Sequence, residues 1–230
     1  LDAGALAVSA VETVLGTDSL STADVLQLVG GSTVSASAIE TLLGSTATDT
    51  VTLLGGGNIA ASAVETLTGS GDLDVLTLLG GGSLRVSSIE TVLGSAGTDA
   101  VTYTGGGELV VSNVETVAGG SGIDTVITLS PGTLAVSLVE NVIGTSGTDV
   151  IHALSAGTLG ISAIESVIGS GGTDIVAMTD GGALATSAVE TVFGTADADV
   201  LTLLGGGSTR LQLIETALGT AAVDAVTMLA

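Results

Sequence analysis

Aliphatic and polar positions alternate along this chain in short bursts, and the bursts recur every 25 residues. One period can be followed from Leu134. Leu134 and Val136 alternate with Ala135 and Ser137, the two-residue rhythm of a half-buried strand. Val139 and Val142 flank Glu140 and Asn141, Gly144 follows, and Thr148-Asp149 opens a third aliphatic run at Val150, Ile151 and Leu154. A small-residue corner, Ser155-Ala156-Gly157, leads back to Leu159. Each period therefore predicts three short strands and three turns. The Val139 position is Val or Ile in every copy from Val11 to Ile214, a β-branched column suited to an inward-facing strand. The Gly144 position is glycine in all nine copies from Gly16 to Gly219, which predicts a turn in a conformation glycine adopts cheaply.

The spacing is strict. Glu40, Glu65, Glu90, Glu115, Glu140, Glu165, Glu190 and Glu215 are 25 residues apart, and so are the aspartates from Asp24 to Asp224. Glu12 lies 28 residues before Glu40, which places a three-residue insertion near residues 17–22. Such a period implies stacked units. Glycines are too frequent for a helical solenoid, and a propeller blade needs a longer period with aromatic markers. The pattern predicts an all-β fold: one parallel, right-handed β-solenoid (β-helix) over 1–230, with about nine coils of 25 residues and three strands per coil. Coils at the usual inter-strand spacing would make a rod ~43 Å long, with each sequence column forming a ladder of like side chains. Val226–Leu229 still reads as repeat strand, so the ends present open sheet edges suited to axial stacking. The chain opens at Leu1 in mid-pattern, which predicts a segment of a longer repetitive chain or a processed product.

Composition narrows the interior and the partners. Apolar residues make up 45%, but Tyr103 and Phe193 are the only aromatics, which suits a narrow core with tight corners. The formal net charge is -22, with Arg85 and Arg210 as the only basic residues besides His152. Nucleic acid and anionic membrane surfaces need basic patches and make poor partners, so neither nucleic-acid binding nor membrane insertion is expected; cations are the natural ligands. The apolar runs are too short and interrupted for a membrane-spanning helix. There is no cysteine, hence no disulfide.

One coil per repeat would put the aspartates in a single column. Carboxylates ~4.8 Å apart repel by about 0.9 kcal/mol even in water, so cations, turn N–H donors or raised pKa values would have to relieve them. GGSGID at Gly119–Asp124 resembles the glycine-aspartate calcium repeat of the RTX proteins, and Gly94–Thr102, Gly144–His152 and Gly169–Ala177 are one glycine short of it. Ser137–Ile151, SLVENVIGTSGTDVI, is similar to the stretch that accompanies such repeats. The resemblance implies type I secretion by a bacterium, an extracellular or cell-surface location, and calcium bound in β-roll turns, with folding on meeting the ion. The candidate metal ligands are Asp72, Asp74, Asp99, Asp124, Asp149, Asp174, Asp197 and Asp199. Asp72 and Asp197 matter because each adds a second carboxylate two residues before the column aspartate. This chain departs from the family in offering one such loop per 25 residues, and GSTATD, GTADAD and GTAAVD lack the glycine before the aspartate. The alternative is that Asp and Glu accept backbone N–H bonds at the turns.

Catalytic chemistry has no constellation to rest on. Serine recurs from Ser9 to Ser187, but a nucleophile needs a base and His152 is the only histidine. His152 itself reads as a surface substitution. Thr52, Thr77, Thr102, Thr202 and Thr227 read as an outward threonine column, interrupted at Ile127, His152 and Ala177, which weakens an ice- or surface-binding reading. The sequence thus predicts a non-enzymatic structural repeat segment of an extracellular fibre, surface layer or adhesin, self-associating axially or laterally. The alternative is an RTX-like calcium module.

Overall fold

The computed structural model describes residues 4–17 and 23–229. Among them there are 27 short strands and no helix, forming a parallel β-solenoid of about 13 turns. Two compact units divide the chain, Leu1–Glu115 and Thr116–Ala230.

In the first unit, β1 (Ala5–Val8), β3 (Val25–Leu28), β5 (Thr41–Leu43), β7 (Gly57–Ser62), β9 (Asp74–Leu78), β11 (Thr91–Leu93) and β13 (Gly107–Ser112) pair in that order in one parallel sheet. The even strands β2 (Thr13–Leu15), β4 (Thr33–Ser37), β6 (Thr50–Leu53), β8 (Thr66–Thr68), β10 (Gly82–Ser87) and β12 (Asp99–Tyr103) form the other. The second unit repeats the scheme. Its even strands are β14 (Thr116–Ala118), β16 (Gly132–Ser137), β18 (Asp149–Ala153), β20 (Ser166–Ile168), β22 (Gly182–Ser187), β24 (Asp199–Leu203) and β26 (Thr216–Leu218). The odd ones are β15 (Asp124–Thr128), β17 (Asn141–Ile143), β19 (Gly157–Ser162), β21 (Asp174–Met178), β23 (Thr191–Phe193), β25 (Gly207–Gln212) and β27 (Asp224–Met228).

Three strands per repeat is as predicted; nine coils with three strands per coil is not. Each coil takes only two strands, one per sheet, because small aliphatic side chains span a narrow gap between two facing sheets. A residue pairs with one 16, 17 or 19 positions on (Thr77↔Leu93, Gly57↔Asp74, Thr91↔Val110), not 25. A 25-residue repeat therefore makes one and a half coils. Equivalent residues of successive repeats fall on opposite sheets, and they return to the same sheet only after three coils. The early insertion shows in the register as well. Ala5↔Val25 and Thr13↔Ser35 are three positions wider than their later counterparts. The inserted span itself falls largely on 18–22, outside the described residues.

The alternation of the strands sends every second side chain inward. Leu26, Leu42, Val51, Leu67, Leu76, Val86, Val92 and Leu109 are fully buried in the first unit, as are Val142, Val192 and Leu201 in the second. Each such side chain contributes about 1.5–3 kcal/mol relative to exposure.

Two backbone features recur with each 25-residue repeat. The residue after the repeat serine (Gln212 in the last copy) adopts positive φ in every copy: Ala10, Ala38, Ala63, Ser88, Asn113, Leu138, Ala163, Ala188 and Leu213 all lie between 50° and 56°. A non-glycine residue there costs about 1–2 kcal/mol. The repeat glycine has a different reason from the one the sequence suggested. Gly44, Gly94, Gly144 and Gly169 have no positive φ; a Cβ on any of them would fall on the carbonyl oxygen of that left-handed residue in the next coil. Close approach, rather than turn conformation, keeps this column glycine. The approach is fixed by the Gly144 N–H donating to Ser162 C=O at 2.8 Å, and the same bond joins Gly44 to Ser62 and Gly169 to Ser187.

Candidate functional site

The turn before each third strand is built around its aspartate. At Asp149, Oδ2 accepts the Thr145 N–H at 2.7 Å and the Thr145 hydroxyl at 2.8 Å. The same hydroxyl accepts the Gly147 N–H at 2.9 Å, closing the turn on itself. Oδ1 accepts the Gly132 N–H from the preceding coil at 3.2 Å. The Asp149 N–H donates to Glu165 Oε2 at 2.7 Å, and the Glu165 and Ser166 end of the next coil approaches the Asp149 carbonyl, with the Glu165 N–H donating to it at 3.2 Å. Aspartate and glutamate thus join three successive coils. Carboxylates accepting several N–H and O–H donors are the strong kind of hydrogen bond, and they hold a turn that would otherwise leave its N–H groups unpaired.

This arrangement recurs. Ser45, Ser70, Ser95, Ser170 and Thr195 each donate N–H and hydroxyl to the aspartate four residues on. Glutamates from Glu40 to Glu215 each accept the N–H of the aspartate 16 residues before, at 2.6–2.8 Å. The Ser/Thr role was not anticipated from the sequence, although a hydroxyl column four residues before the aspartates was there to find. The column is broken by sequence at Leu20, where Thr17 donates N–H and hydroxyl to Asp24 instead, and at Gly120, so that Asp124 receives a single N–H donor on Oδ2 at 2.8 Å. Burial pushes the Asp124 carboxyl above the ordinary carboxylate value; the Gly120 N–H works against this and the Glu140 charge adds to it.

Of the predicted metal ligands, Asp74, Asp99, Asp124, Asp149, Asp174 and Asp199 are buried within these turns. Asp72 and Asp197 are exposed, and their N–H groups donate to Ser70 Oγ and Thr195 Oγ1. The supposed single column does not exist. Within the first unit Asp74 begins an odd strand while Asp49 and Asp99 lead into or begin even ones. Like aspartates on one sheet are three coils apart, ~14 Å at the usual strand spacing. Tripling the separation reduces the Coulomb repulsion to about a third of what a single column would have. Among the described residues, no group of three or more His, Asp or Glu side chains is arranged to hold a metal ion.

The aspartates still differ in one respect. Asp49, Asp149 and Asp199 use Oδ1 to accept a corner N–H from Ser32, Gly132 and Gly182. At Asp74 and Asp99 the equivalent corner N–H, of Gly57 and Gly82, goes to the carbonyl of the preceding residue at 2.9 Å. Their Oδ1 atoms are buried without a donor, as are those of Asp24, Asp124 and Asp224. Asp99 also lines a pocket of ≈ 230 Å³ at the Gly80–Gly82 corner, together with Ser62 and Glu65.

His152 points outward from β18, as expected of a surface position. Among the described residues no helix is long and apolar enough to cross a membrane. Compared with known proteins, the chain matches no family, no curated protein and no solved structure.

Proposed function

We propose that this chain is a non-catalytic structural segment, a scaffold of an extracellular bacterial fibre, surface layer or adhesin. The observation that carries the reading is the wiring of its acidic residues. Aspartate and glutamate, the groups most available for chemistry, are consumed in tying one coil to the next. What remains is an aliphatic core with hydrogen-bonded edges, the attributes of a spacer that holds its form. Self-association, axial through sheet edges or lateral through the threonine and glutamate faces, belongs to the same proposal. Electron microscopy of the concentrated protein tests it: filaments or ordered bundles are the expected result, and monodisperse short particles at all concentrations would remove the assembly part.

A second reading, the calcium-binding RTX-like module folding after secretion, is favoured by one observation. The buried, donorless Oδ1 atoms of Asp24, Asp74, Asp99, Asp124 and Asp224 are acceptors without partners. Circular dichroism in excess EDTA followed by calcium addition separates the two. A β signal that appears only with calcium supports the module; a fully folded chain whose melting ignores calcium supports the scaffold.

A further inference from the structure

The sheet register of the first unit assembles something that no single repeat contains. On the outward side of its even strands, Thr13, Ser35, Thr52, Thr68 and Ser87 pair consecutively across β2, β4, β6, β8 and β10. Two positions aside runs a second column, Thr33, Thr50, Thr66, Arg85 and Thr102. Inward neighbours Val34, Val51, Leu67 and Val86 are buried, so the columns face solvent. Nine of the ten positions carry a hydroxyl. Hydroxyls repeat ~4.8 Å along the stack and ~6.6 Å across it, two strand residues apart. Seven of the nine are threonines, whose branched side chains are stiff at χ1 and hold the lattice in place. Among these hydroxyls only two are engaged within the protein, the Ser87 hydroxyl donating to Thr68 Oγ1 at 3.3 Å.

Repetition alone does not produce this face. Because successive repeats alternate between sheets, the position that is Thr68 here is Leu43 and Leu93 on the opposite sheet, and Thr50 is answered there by Val25 and Val75. At these positions the opposite sheet is aliphatic, and Ala60 and Val110 answer Arg85 there; Thr41, Ser62, Thr77, Thr91 and Ser112 keep their hydroxyls on that sheet, but aliphatic residues separate them, so no unbroken hydroxyl column forms. The face is also nearly uncharged, with Arg85 as its one ionic group, on a chain whose net charge is -22. A cationic partner would find no carboxylate in these columns, and an anionic one only Arg85. The occupant that matches is a neutral, two-dimensionally periodic array of hydrogen-bonding groups.

We propose that this face binds an ordered water lattice, the surface of ice, through its two hydroxyl columns. The oxygen lattice of ice repeats on distances similar to both spacings, and the threonine methyls between the hydroxyls order the water that bridges to it. The period-25 interruptions at Ile127, His152 and Ala177 have no bearing on this face, since none of those residues lies in the first unit. The proposal does not rest on the scaffold reading and stands or falls separately.

The test uses the full chain in ice-recrystallisation and freezing-hysteresis assays, with circular dichroism to verify folding of every variant. The wild type should facet growing crystals and suppress recrystallisation. Thr52→Lys combined with Thr68→Lys should weaken suppression at least tenfold, while Thr77→Lys on the opposite sheet leaves it within twofold. Arg85→Thr, which completes the second column, should strengthen it. The proposal is overturned if wild-type ice grows as in buffer, if Thr77→Lys is as damaging as the double variant, or if Arg85→Thr weakens suppression. A dimer split by the double variant without any effect on ice would make the face a self-association surface and equally overturn it.

Discussion

Two neighbouring turns of the second unit, those of Asp124 and Asp149, occupy the same place in the repeat and are not equally furnished. Asp149 receives three donors, two from Thr145 and one from Gly132. Asp124 receives one, from Gly120, and keeps a buried Oδ1 without a partner. Both are buried, and both give their N–H to a glutamate in the next coil, Glu165 and Glu140, at 2.7 and 2.8 Å. The backbone connection between coils is thus invariant while the carboxylate's own satisfaction varies. What keeps the fold is the coil-to-coil wiring; what differs between copies is how costly each buried charge is.

The largest effect should be one that ignores the difference. Gly119→Ala and Gly144→Ala each place a Cβ on a backbone carbonyl oxygen, of Leu138 and Ala163, that cannot rotate away. Overpacking against backbone is expected to cost about 3 kcal/mol or more in both, read as equal losses in urea unfolding.

Next, the two aspartates should separate. In Asp149→Asn an amide N–H₂ faces donors that the carboxylate had satisfied, a loss of about 2–3 kcal/mol. Asp124→Asn removes a poorly satisfied charge and should change stability by less than about 1 kcal/mol. Equal losses would break the comparison.

Smaller again is the repair of the weak turn. Gly120→Ser restores the missing hydroxyl and should add about 0.5–1.5 kcal/mol at neutral pH. Its pH dependence follows from the raised carboxyl of Asp124. Between the ordinary carboxylate value and the raised folded one, the folded state binds more protons than the unfolded. This residue's contribution therefore favours folding in acid and is lost as pH rises through its folded pKa. The advantage of Gly120→Ser should accordingly grow with pH across that window and level off above it, measured by unfolding at a series of pH values.

The smallest effects sharpen the backbone side of the comparison. Leu138→Gly and Ala163→Gly remove positive-φ strain at the residues facing Gly119 and Gly144. Each should gain about 1 kcal/mol in the folded state, less the added freedom of the unfolded chain, and appear as a small rise in Tm.

Much of this was legible beforehand. Alternation at Leu134–Ser137 located a strand, the Val139 column pointed inward from Ile39 to Ile214 though not at the exposed Val11, and the glycine and aspartate positions marked turns. The number of coils was not legible, because a sequence period fixes how often a unit recurs and not how far it winds. Three strands per unit shared between two sheets gives one and a half coils; three strands around a triangle would give one. The same ambiguity hid the candidate face. Thr52 and Thr77 look like neighbours in a column when aligned by repeat, whereas Thr52 lies beside Ser35 and Thr68, and Thr77 beside Ala60 and Leu93. The left-handed residue was invisible for another reason: its column holds Ala, Ser, Asn and Leu, so nothing in composition marks it.

The winding is the central claim, and a chain without cysteine lets it be measured directly. Paired cysteine variants carrying nitroxide spin labels, Thr52→Cys with Thr68→Cys and Thr52→Cys with Thr77→Cys, would be compared by dipolar broadening in electron paramagnetic resonance. Two-strand coils put the first pair on adjacent strands ~4.8 Å apart and the second on opposite sheets facing away from each other. Strong broadening in the first pair and none in the second is the predicted result. Strong broadening between positions 52 and 77 would mean one coil per repeat and would contradict the account.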